Sequence, residues 1–224
     1  MDEQEKLKDG EKGAVLQRDR QTYAVAPHIP CGVVTPEVLR KVADVAEKYN
    51  AAAIKLTSAA RIALVGLQKD DIDRAWADLG IKPGHAVGLC VRSVKACPGT
   101  AFCRLGQQDS LGLGMKLDET YHGMELPSKT KMAVSGCINQ CAENCIKDIA
   151  LYGRKNGWVL TVGGKGTGKP RLADTLVEDI PTDEQALELI AKVVDFYREN
   201  AKKHERIGSM IDRIGLDKLR AAVV

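Results

Sequence analysis

The spacing of the cysteines is the strongest constraint that this sequence places on its fold. Cys97 and Cys103 form a C-x5-C pair, and Cys137 and Cys141 form a C-x3-C pair that is followed by Cys145. Four thiolates can hold a 4Fe–4S cluster, a compact group that needs soft ligands on several sides. If both pairs bind one such group, the chain must fold so that two segments far apart in sequence meet.

Other interpretations of the cysteines stay open on spacing alone. Structural zinc sites usually have about two to four residues between neighbouring ligands, so the C-x5-C pair fits them less well. Free cysteines are also among the most buried residues of ordinary cores. Finally, Cys137, Cys141 and Cys145 would share one face of a helix, so spacing does not decide which two of them form the pair.

Composition limits the class of protein. The 224 residues are 44% hydrophobic and 28% charged, as in ordinary globular proteins. Aromatic residues make up only 4% and the net charge is a mild +3, which argues against a nucleic-acid partner. The charged N-terminus does not resemble a signal peptide, and no apolar run approaches the roughly 20 residues that span a bilayer. We therefore expect a cytoplasmic protein without a membrane partner, whose cysteines serve metal binding or redox chemistry rather than disulfides.

The first part of the chain has the pattern of a small α/β unit. Residues 1–19 are predicted to be an N-terminal tail. Beyond it the pattern predicts strands at 21–27, 51–57 and 61–67, and helices at 35–50 and 69–80. Thr35 is the expected N-cap of the first helix. The order β-α-β-β-α is typical of a ferredoxin-like unit over residues 20–80.

The second part, residues 87–224, contains the paired cysteines. A strand at 130–136 leads into the second pair, and Asn156-Gly157 predicts a hairpin. Thr182 begins a capping box before a long amphipathic helix, and short helices are expected after it. The fold class is therefore α+β with C-terminal helices. The glycine loop 163–170 matches most of a phosphate-binding loop, but Pro170 replaces the required Ser or Thr, so it is interpreted as a flexible loop.

Basic residues lie close in sequence to both cysteine pairs: Arg92, Lys95, Arg104, Lys129 and Lys131. In a strand, Lys129 and Lys131 would point to the same face. A cationic surface beside a metal centre suits an anionic cofactor or substrate. Lysines on a solvated strand edge are also common, so this pattern alone leaves both interpretations open.

The segments VRSVKACPGTAFCRLGQQDS and KMAVSGCINQCAENCIKD together resemble the sirohaem-dependent nitrite and sulfite reductases. Both cysteine spacings match, as does the Ser-Gly-Cys sequence that begins the second pair. Residues 20–80 resemble the ferredoxin-like half-domain of this family, and residues 87–180 resemble its sirohaem and iron–sulfur domain. With a single copy of the unit, the chain is most similar to the small assimilatory-type sulfite reductases of anaerobic prokaryotes.

The resemblance implies two coupled cofactors, a 4Fe–4S cluster and sirohaem. Cys141 would bind both the cluster and the sirohaem iron, and Cys145 would be a core thiol that binds neither. The implied cluster ligands are Cys97, Cys103, Cys137 and Cys141.

The resemblance also implies an activity, the six-electron reduction of sulfite to sulfide. The residues implied to bind the anion and assist its reduction are Arg61, Arg92, Lys129 and Lys131. Those available to the carboxylates of sirohaem are Arg92, Lys95 and Arg104. Electrons would come from a separate donor protein, such as a ferredoxin or a cytochrome. A homodimer is expected because larger members of the family carry two tandem copies.

Three alternatives accompany this hypothesis. The first is reduction of nitrite to ammonia at the same site, because the T-x3-R spacing of Thr57 and Arg61 is closer to the nitrite-reducing branch of the family. The second, of another class, is a zinc-stabilised binding module with a basic face. The third is an electron-transfer protein that holds a cluster but no sirohaem.

Overall fold

The computed structural model describes residues 6–224, which fold into two compact units, the first ending at Gly88 and the second spanning Leu89–Val224. The first unit combines four strands with two α-helices. The strands are β1 (Ala14–Leu16), β2 (Tyr23–Val25), β3 (Ala53–Leu56) and β4 (Ile62–Leu67). The helices are α1 (Pro36–Lys48) and α2 (Ile72–Leu79).

The strands of the first unit form one antiparallel sheet in the order β1-β2-β4-β3. The amphipathic helices α1 and α2 contact each other and bury their apolar faces in the same core as β2 and β4. Val42 and Val45 of α1 meet Leu64 of β4 in that core. Thr35 caps α1 as expected, since its hydroxyl accepts the Val38 N–H at 3.3 Å.

The N-terminal segment corrects the prediction that residues 1–19 form a tail. Positions 1–5 lie outside the described residues, but β1 pairs along its whole length with β2. Leu7 is only 7% exposed, and its N–H donates to the Tyr23 hydroxyl at 3.1 Å. The segment escaped prediction because a three-residue strand flanked by charged residues and glycines shows no hydrophobic period.

The second unit is built on a five-stranded sheet in the order β5-β6-β7-β8-β9. These strands are β5 (Val91–Ala96), β6 (Thr130–Ser135), β7 (Ile149–Arg154), β8 (Gly157–Val162) and β9 (Asp174–Ile180). The helices are α3 (Gly99–Phe102), α4 (Ser110–Tyr121), α5 (Asp183–Asn200), α6 (Ile207–Ile214) and α7 (Leu216–Val223). The expected hairpin is confirmed, because β7 and β8 pair on either side of the Lys155-Asn156 turn.

The direction of the central strands determines where the two cysteine segments lie. β5 runs parallel to β6, and β6 runs parallel to β7, whereas β8 and β9 are antiparallel to their neighbours. Helix α4 connects β5 to β6 and packs against both. The carboxyl ends of β5 and β6 therefore meet at one edge of the sheet, which is where open α/β sheets commonly bind ligands. Among the described residues, no helix is long and apolar enough to cross a membrane.

The packed N-terminus makes a prediction for stability. Leu7→Ala should lower the free energy of unfolding by about 2 kcal/mol, because it removes buried methyl groups from the core of the first unit. Urea denaturation measures this, with Lys8→Ala as the control because the Lys8 side chain is exposed. Equal unfolding midpoints for the two variants would instead support a loosely attached tail.

Candidate functional site

The two cysteine pairs begin at neighbouring strand ends. Cys97 follows the last residue of β5, and Cys137 lies two residues beyond the end of β6. The Cys97 N–H continues the sheet by donating to the Val134 carbonyl at 3.0 Å. The Gly136 N–H donates to the Cys97 Sγ at 3.1 Å. Backbone N–H bonds of this kind stabilise negative charge on sulfur and tune the potential of thiolate-bound clusters.

Close contact between three glycines allows the two cysteine segments to meet. A Cβ on Gly136 would lie 2.7 Å from the Gly99 Cα and 2.7 Å from the Gln108 carbonyl oxygen. A Cβ on Gly106 would lie 2.6 Å from the Thr100 nitrogen. Gly99 itself has a left-handed φ of +55°, which favours glycine. The glycines of C-P-G, L-G-Q and S-G-C are therefore required by backbone contact and not only by flexibility.

Hydrogen bonds from the start of α4 hold this arrangement. The Ser110 hydroxyl donates to the Cys97 carbonyl at 2.9 Å and lies 3.2 Å from the Cys97 Sγ. The N–H groups of Gln107 and Gln108 donate to the Gly136 carbonyl at 2.8 and 3.0 Å. Ser110 is completely buried, so the segment that carries Cys103 is attached to both strand ends.

The segment that carries the C-x3-C pair is not an α-helix. Gln140 and Glu143 adopt left-handed φ values of 49° and 63°, which interrupt a right-handed helix. The Ala142 N–H donates to the Ser135 hydroxyl at 3.0 Å. The buried Asn144 amide bonds to Ser135 and donates to the Leu151 carbonyl at 2.6 Å. The loop therefore folds back on β6 and β7, and its cysteines do not share one helical face.

Cys145 requires a correction, because it was expected to be a core thiol at the start of the next strand. Its side chain is exposed, it lies in a short 3-10 helix over Asn144–Ile146, and β7 begins only at Ile149. The neighbouring Asn144 takes the buried position, which turns Cys145 outwards. The Cys145 backbone is held in place, because its carbonyl accepts the Ala173 N–H at 2.8 Å.

The donor set fits a cluster better than a single ion. The four expected ligands are free thiols, with Cys137 buried, Cys97 half-buried, and Cys103 and Cys141 exposed. Within residues 6–224, no group of three or more His, Cys, Asp or Glu side chains is placed to hold one metal ion. A tetrahedral zinc site requires its ligands to converge at about 2.3 Å from one point. A 4Fe–4S cluster spreads its ligands over several irons, and four free thiols in two joined segments suit it.

Lys131 lies in surroundings that disfavour its positive charge. It is half-buried, and burial lowers its pKa, with further lowering by the charges of Lys147, Arg206 and Lys129 in that order. In the part of the chain that the structure describes, neither Lys131 nor Lys129 forms an ion pair. A desolvated ammonium surrounded by cations has a strong affinity for an added anion.

A buried ion pair lies beneath Lys131. Arg206 donates from Nε and Nη2 to the two Asp148 carboxylate oxygens at 2.8 and 2.6 Å. Their side chains are 8% and 1% exposed. The Lys131 N–H donates to Asp148 Oδ2 at 2.7 Å, so the pair also fixes the start of β6. The charge of Asp148 is matched by Arg206, and its effect on the Lys131 pKa is smaller than that of burial and of the neighbouring cations.

A second carboxylate organises the cations beside the cysteines. Glu143 lies 2.8 Å from the Lys147 ammonium and 3.3 Å from that of Lys95. Hydrogen bonding to Lys147 lowers the Glu143 pKa, with a smaller contribution from Lys95. Lys95, which was expected to serve the sirohaem carboxylates, is therefore linked to the loop between Cys141 and Cys145.

The three arginines of the expected site differ in their surroundings. Arg92 is half-buried at a register shift between β5 and β6, an irregularity that re-aims a side chain. Burial lowers its pKa, and the charge of Arg206 adds to this. Arg104 is exposed in the turn after Cys103. Arg61 belongs to the first unit, where its Nη2 donates to the His85 carbonyl at 3.1 Å.

Sequence reasoning missed four residues that shape this site: Glu143, Lys147, Asp148 and Arg206. The Lys-Asp pair in IKDIALYG was the one available signal, because charged residues at the start of an otherwise apolar strand need partners. Nothing in the sequence linked Asp148 to Arg206, which stands 58 residues further along the chain.

Comparison with known proteins assigns both units to one group. The family model for the nitrite and sulphite reductase 4Fe-4S domain matches residues 87–224. The model for the nitrite/sulfite reductase ferredoxin-like half domain matches residues 15–80.

Among curated relatives, an assimilatory-type sulfite reductase of Nitratidesulfovibrio vulgaris is 46% identical over 97% of this chain and 100% of its own length. An NAD(P)H nitrite reductase of Bacillus subtilis is 40% identical over 94% of this chain but only 26% of its own length.

Solved structures support the same fold. A dissimilatory sulfite reductase I matches with a TM-score of 0.80 at 17% identity, over 90% of this chain and 69% of that one. The NirA protein of Mycobacterium tuberculosis matches with a TM-score of 0.77 at 20% identity, over 98% of this chain and 43% of that one. At these identities the matches support the α+β fold and carry no argument about substrate.

The glycine contact yields a direct prediction. Gly136→Ala should lower the free energy of unfolding by about 3 kcal/mol and reduce the iron content of the purified protein, because its Cβ would strike backbone atoms that cannot move independently. Urea denaturation and iron analysis measure the two effects. Gly168→Ala is the control, because a Cβ there meets nothing within 4 Å and only its φ of +32° is disfavoured. A Gly136→Ala protein with normal stability and iron content would contradict the prediction.

Proposed function

Because the chain belongs to the nitrite and sulfite reductase family, on the match of residues 87–224 to the 4Fe-4S domain, we propose that it reduces sulfite to sulfide. The observation that carries this choice of substrate is the 46% identity to an assimilatory-type sulfite reductase over that protein's whole length. The family is one of oxidoreductases, so the proposal concerns the substrate and the cofactors and not the type of chemistry.

Two cofactors are proposed, a 4Fe–4S cluster and sirohaem. Cys97, Cys103, Cys137 and Cys141 would hold the cluster, with Cys141 also reaching the sirohaem iron. When bound, this pair of cofactors supplies electrons one at a time to a single ligand position. Overall, sulfite would take up six electrons and six protons to give sulfide and three waters.

The proposed role of the protein is to bind the anion and to hold protons near its oxygens. Lys131 and Lys129 carry positive charge that no carboxylate of the described residues neutralises through an ion pair, which favours an incoming anion. The lowered pKa of Lys131 also makes its ammonium a better proton donor than an ordinary lysine. Arg92 is proposed to assist Lys131, because the charge of Arg206 lowers the pKa of both side chains. A role for Arg61 is a proposal from its motif position alone.

Nitrite reduction is the second candidate. It is favoured by the 40% identity to the Bacillus subtilis nitrite reductase and by the T-x3-R spacing of Thr57 and Arg61. Steady-state kinetics with both anions, using reduced methyl viologen as electron source, distinguish the two. A kcat/KM for sulfite at least tenfold above that for nitrite supports the proposal, whereas the reverse ratio would assign the chain to nitrite.

Physiological context is proposed on the same basis. Electrons would come from a separate carrier protein, such as a ferredoxin or a cytochrome, and the reaction would take place in the cytoplasm. A homodimer is proposed as the working assembly.

The assignment of cysteines can be tested by substitution. Cys141→Ser should abolish the coupled cluster and sirohaem absorption, because Cys141 is the proposed shared ligand. Cys145→Ser should keep the full spectrum, because Cys145 lies outside the proposed ligand set although it is also exposed. Absorption and electron paramagnetic resonance spectra of both variants provide the measurement. Loss of the cluster in Cys145→Ser as well as in Cys141→Ser would instead favour Cys141 and Cys145 as the ligand pair.

Lys131 predicts a pH dependence of substrate binding. The Lys131 pKa is below that of an ordinary lysine, so its ammonium is deprotonated at a lower pH than that of an ordinary lysine. The KM for sulfite should therefore rise as the pH increases through the Lys131 pKa. Lys131→Ala should raise the KM about tenfold at neutral pH and remove this part of the profile. Lys131→Arg should shift the rise to higher pH.

Lys155→Ala, at the exposed β7–β8 turn, is the control for these lysine variants and should match the wild type. All variants should keep their cofactor spectra. A Lys131→Ala enzyme with an unchanged KM and an unchanged pH profile would remove this lysine from substrate binding.

A further inference from the structure

The buried ion pair of Arg206 and Asp148 connects the C-terminal helices to the strand that carries Lys131. Arg206 stands directly before α6, and Asp148 stands directly before β7. The two short parallel bonds between them have the geometry of an ionised arginine–carboxylate pair. Asp148 Oδ2 also accepts the Lys131 N–H, and the Asp148 N–H donates to the Lys131 carbonyl at 3.0 Å. The start of β6 is therefore held by a residue of the C-terminal helices.

The corner between α5 and α6 is itself fixed in place. The buried Tyr197 hydroxyl donates to the Glu205 carbonyl at 2.6 Å. The Glu205 carboxylate pairs with Arg213 at 2.7 Å, and hydrogen bonding to Arg213 lowers its pKa to about 2. The His204 N–H donates to the Pro127 carbonyl at 2.7 Å, in the segment that leads into β6. The arginine that follows Glu205 is therefore held at a fixed place beside β6.

Charges around Lys131 act on its ammonium in opposite directions. Burial lowers the Lys131 pKa, and three neighbouring cations lower it further, in decreasing order Lys147, Arg206 and Lys129. Asp148 raises it, with a smaller effect than any of them. On the neighbouring strand β5, the residue in register with Lys131 is the uncharged Ser93. Asp148 and Arg206 are buried by the protein itself, so a bound cofactor can only cover them further.

We propose that Arg206, acting through Asp148, is a positioning residue of the anion site: it fixes the start of β6, and its charge outweighs that of Asp148 at the Lys131 ammonium. This inference rests on the proposed function. Without Arg206, the Asp148 carboxylate would need another counter-ion, and Lys131 is the cation whose backbone it already binds. A lysine that is paired with a carboxylate is a weaker site for a substrate anion than one whose charge is unmatched.

The test measures the charge state of Lys131 directly, together with the KM for sulfite. Arg206→Met, Asp148→Asn and the double variant are made in the full chain with its cofactors. The rate at which acetic anhydride acetylates Lys131, followed by mass spectrometry of peptides at mildly alkaline pH, reports the uncharged amine and needs no turnover. The matched controls are Arg154→Met and Glu178→Gln, which remove the same charges from an exposed ion pair between β7 and β9.

The two single variants should change the charge state of Lys131 in opposite directions. Arg206→Met removes a neighbouring cation, so acetylation should become about threefold slower. Protonation of Asp148 in this variant would not reverse the sign, because the effect of Arg206 on Lys131 exceeds that of Asp148. Asp148→Asn removes a neighbouring anion, so acetylation should become about threefold faster. The double variant should lie between the two, and both controls should match the wild type.

Substrate binding and stability should follow the same pattern. The pH at which the KM for sulfite rises should move up in Arg206→Met and down in Asp148→Asn. At low pH, where Lys131 is charged in all variants, Arg206→Met should still raise the KM about threefold, because Asp148 is no longer held against the start of β6. The double variant should unfold at a higher urea concentration than Arg206→Met, because it leaves no unpaired buried charge.

Other outcomes would overturn the inference. Equal acetylation rates in the wild type and both single variants would mean that Arg206 does not act on Lys131. A change of both single variants in the same direction would indicate a general loosening of the fold. A change of the same size in either control would show that the effect is not specific to the buried pair. Absence of sulfite turnover by the wild type with reduced methyl viologen contradicts the proposed function, whereas the acetylation rates still decide whether Arg206 acts on Lys131.

Discussion

Backbone contact between Gly99, Gly106 and Gly136 is the constraint on which the site depends. Parallel pairing of β5 and β6 ends with Ala96 opposite Val134 and so brings Cys97 close to Gly136, but only residues without a Cβ allow the segments to close to the observed distance. The Gly136 N–H can then reach the Cys97 sulfur. The cysteine spacing therefore works only in combination with the glycines beside it.

Ion pairs around Lys131 determine the charge of the site. Asp148 and Arg206 neutralise each other below the site, and Glu143 is engaged by Lys147 and Lys95. Asp148 and Glu143 are thus both paired with other cations. The ammonium of the half-buried Lys131 lies in a low-dielectric environment, where its charge acts strongly on an anion. Buried pairs of this kind contribute less to net stability than to fixing the positions of neighbouring groups.

Much of the fold could be predicted from periodicity and caps, as with Thr35, Thr182 and the Asn156-Gly157 hairpin, because these signals are local. Strand β1 and helix α4 could not, since β1 is too short to show a period and α4 contains two glycines, which disfavour helix. The exposed Cys145 was missed for a related reason. The left-handed residues Gln140 and Glu143 are not glycines, so no residue type in the sequence marks the points at which the loop leaves a helical path.

Analysis of the purified protein for iron, acid-labile sulfide and extracted tetrapyrrole tests the central claim most directly. Our account predicts about five iron atoms, about four sulfides and one sirohaem per chain, which corresponds to one cluster and one haem iron. A protein with equal amounts of iron and sulfide and no tetrapyrrole would be an electron carrier and not a reductase. A colourless protein that binds only zinc would contradict the account entirely.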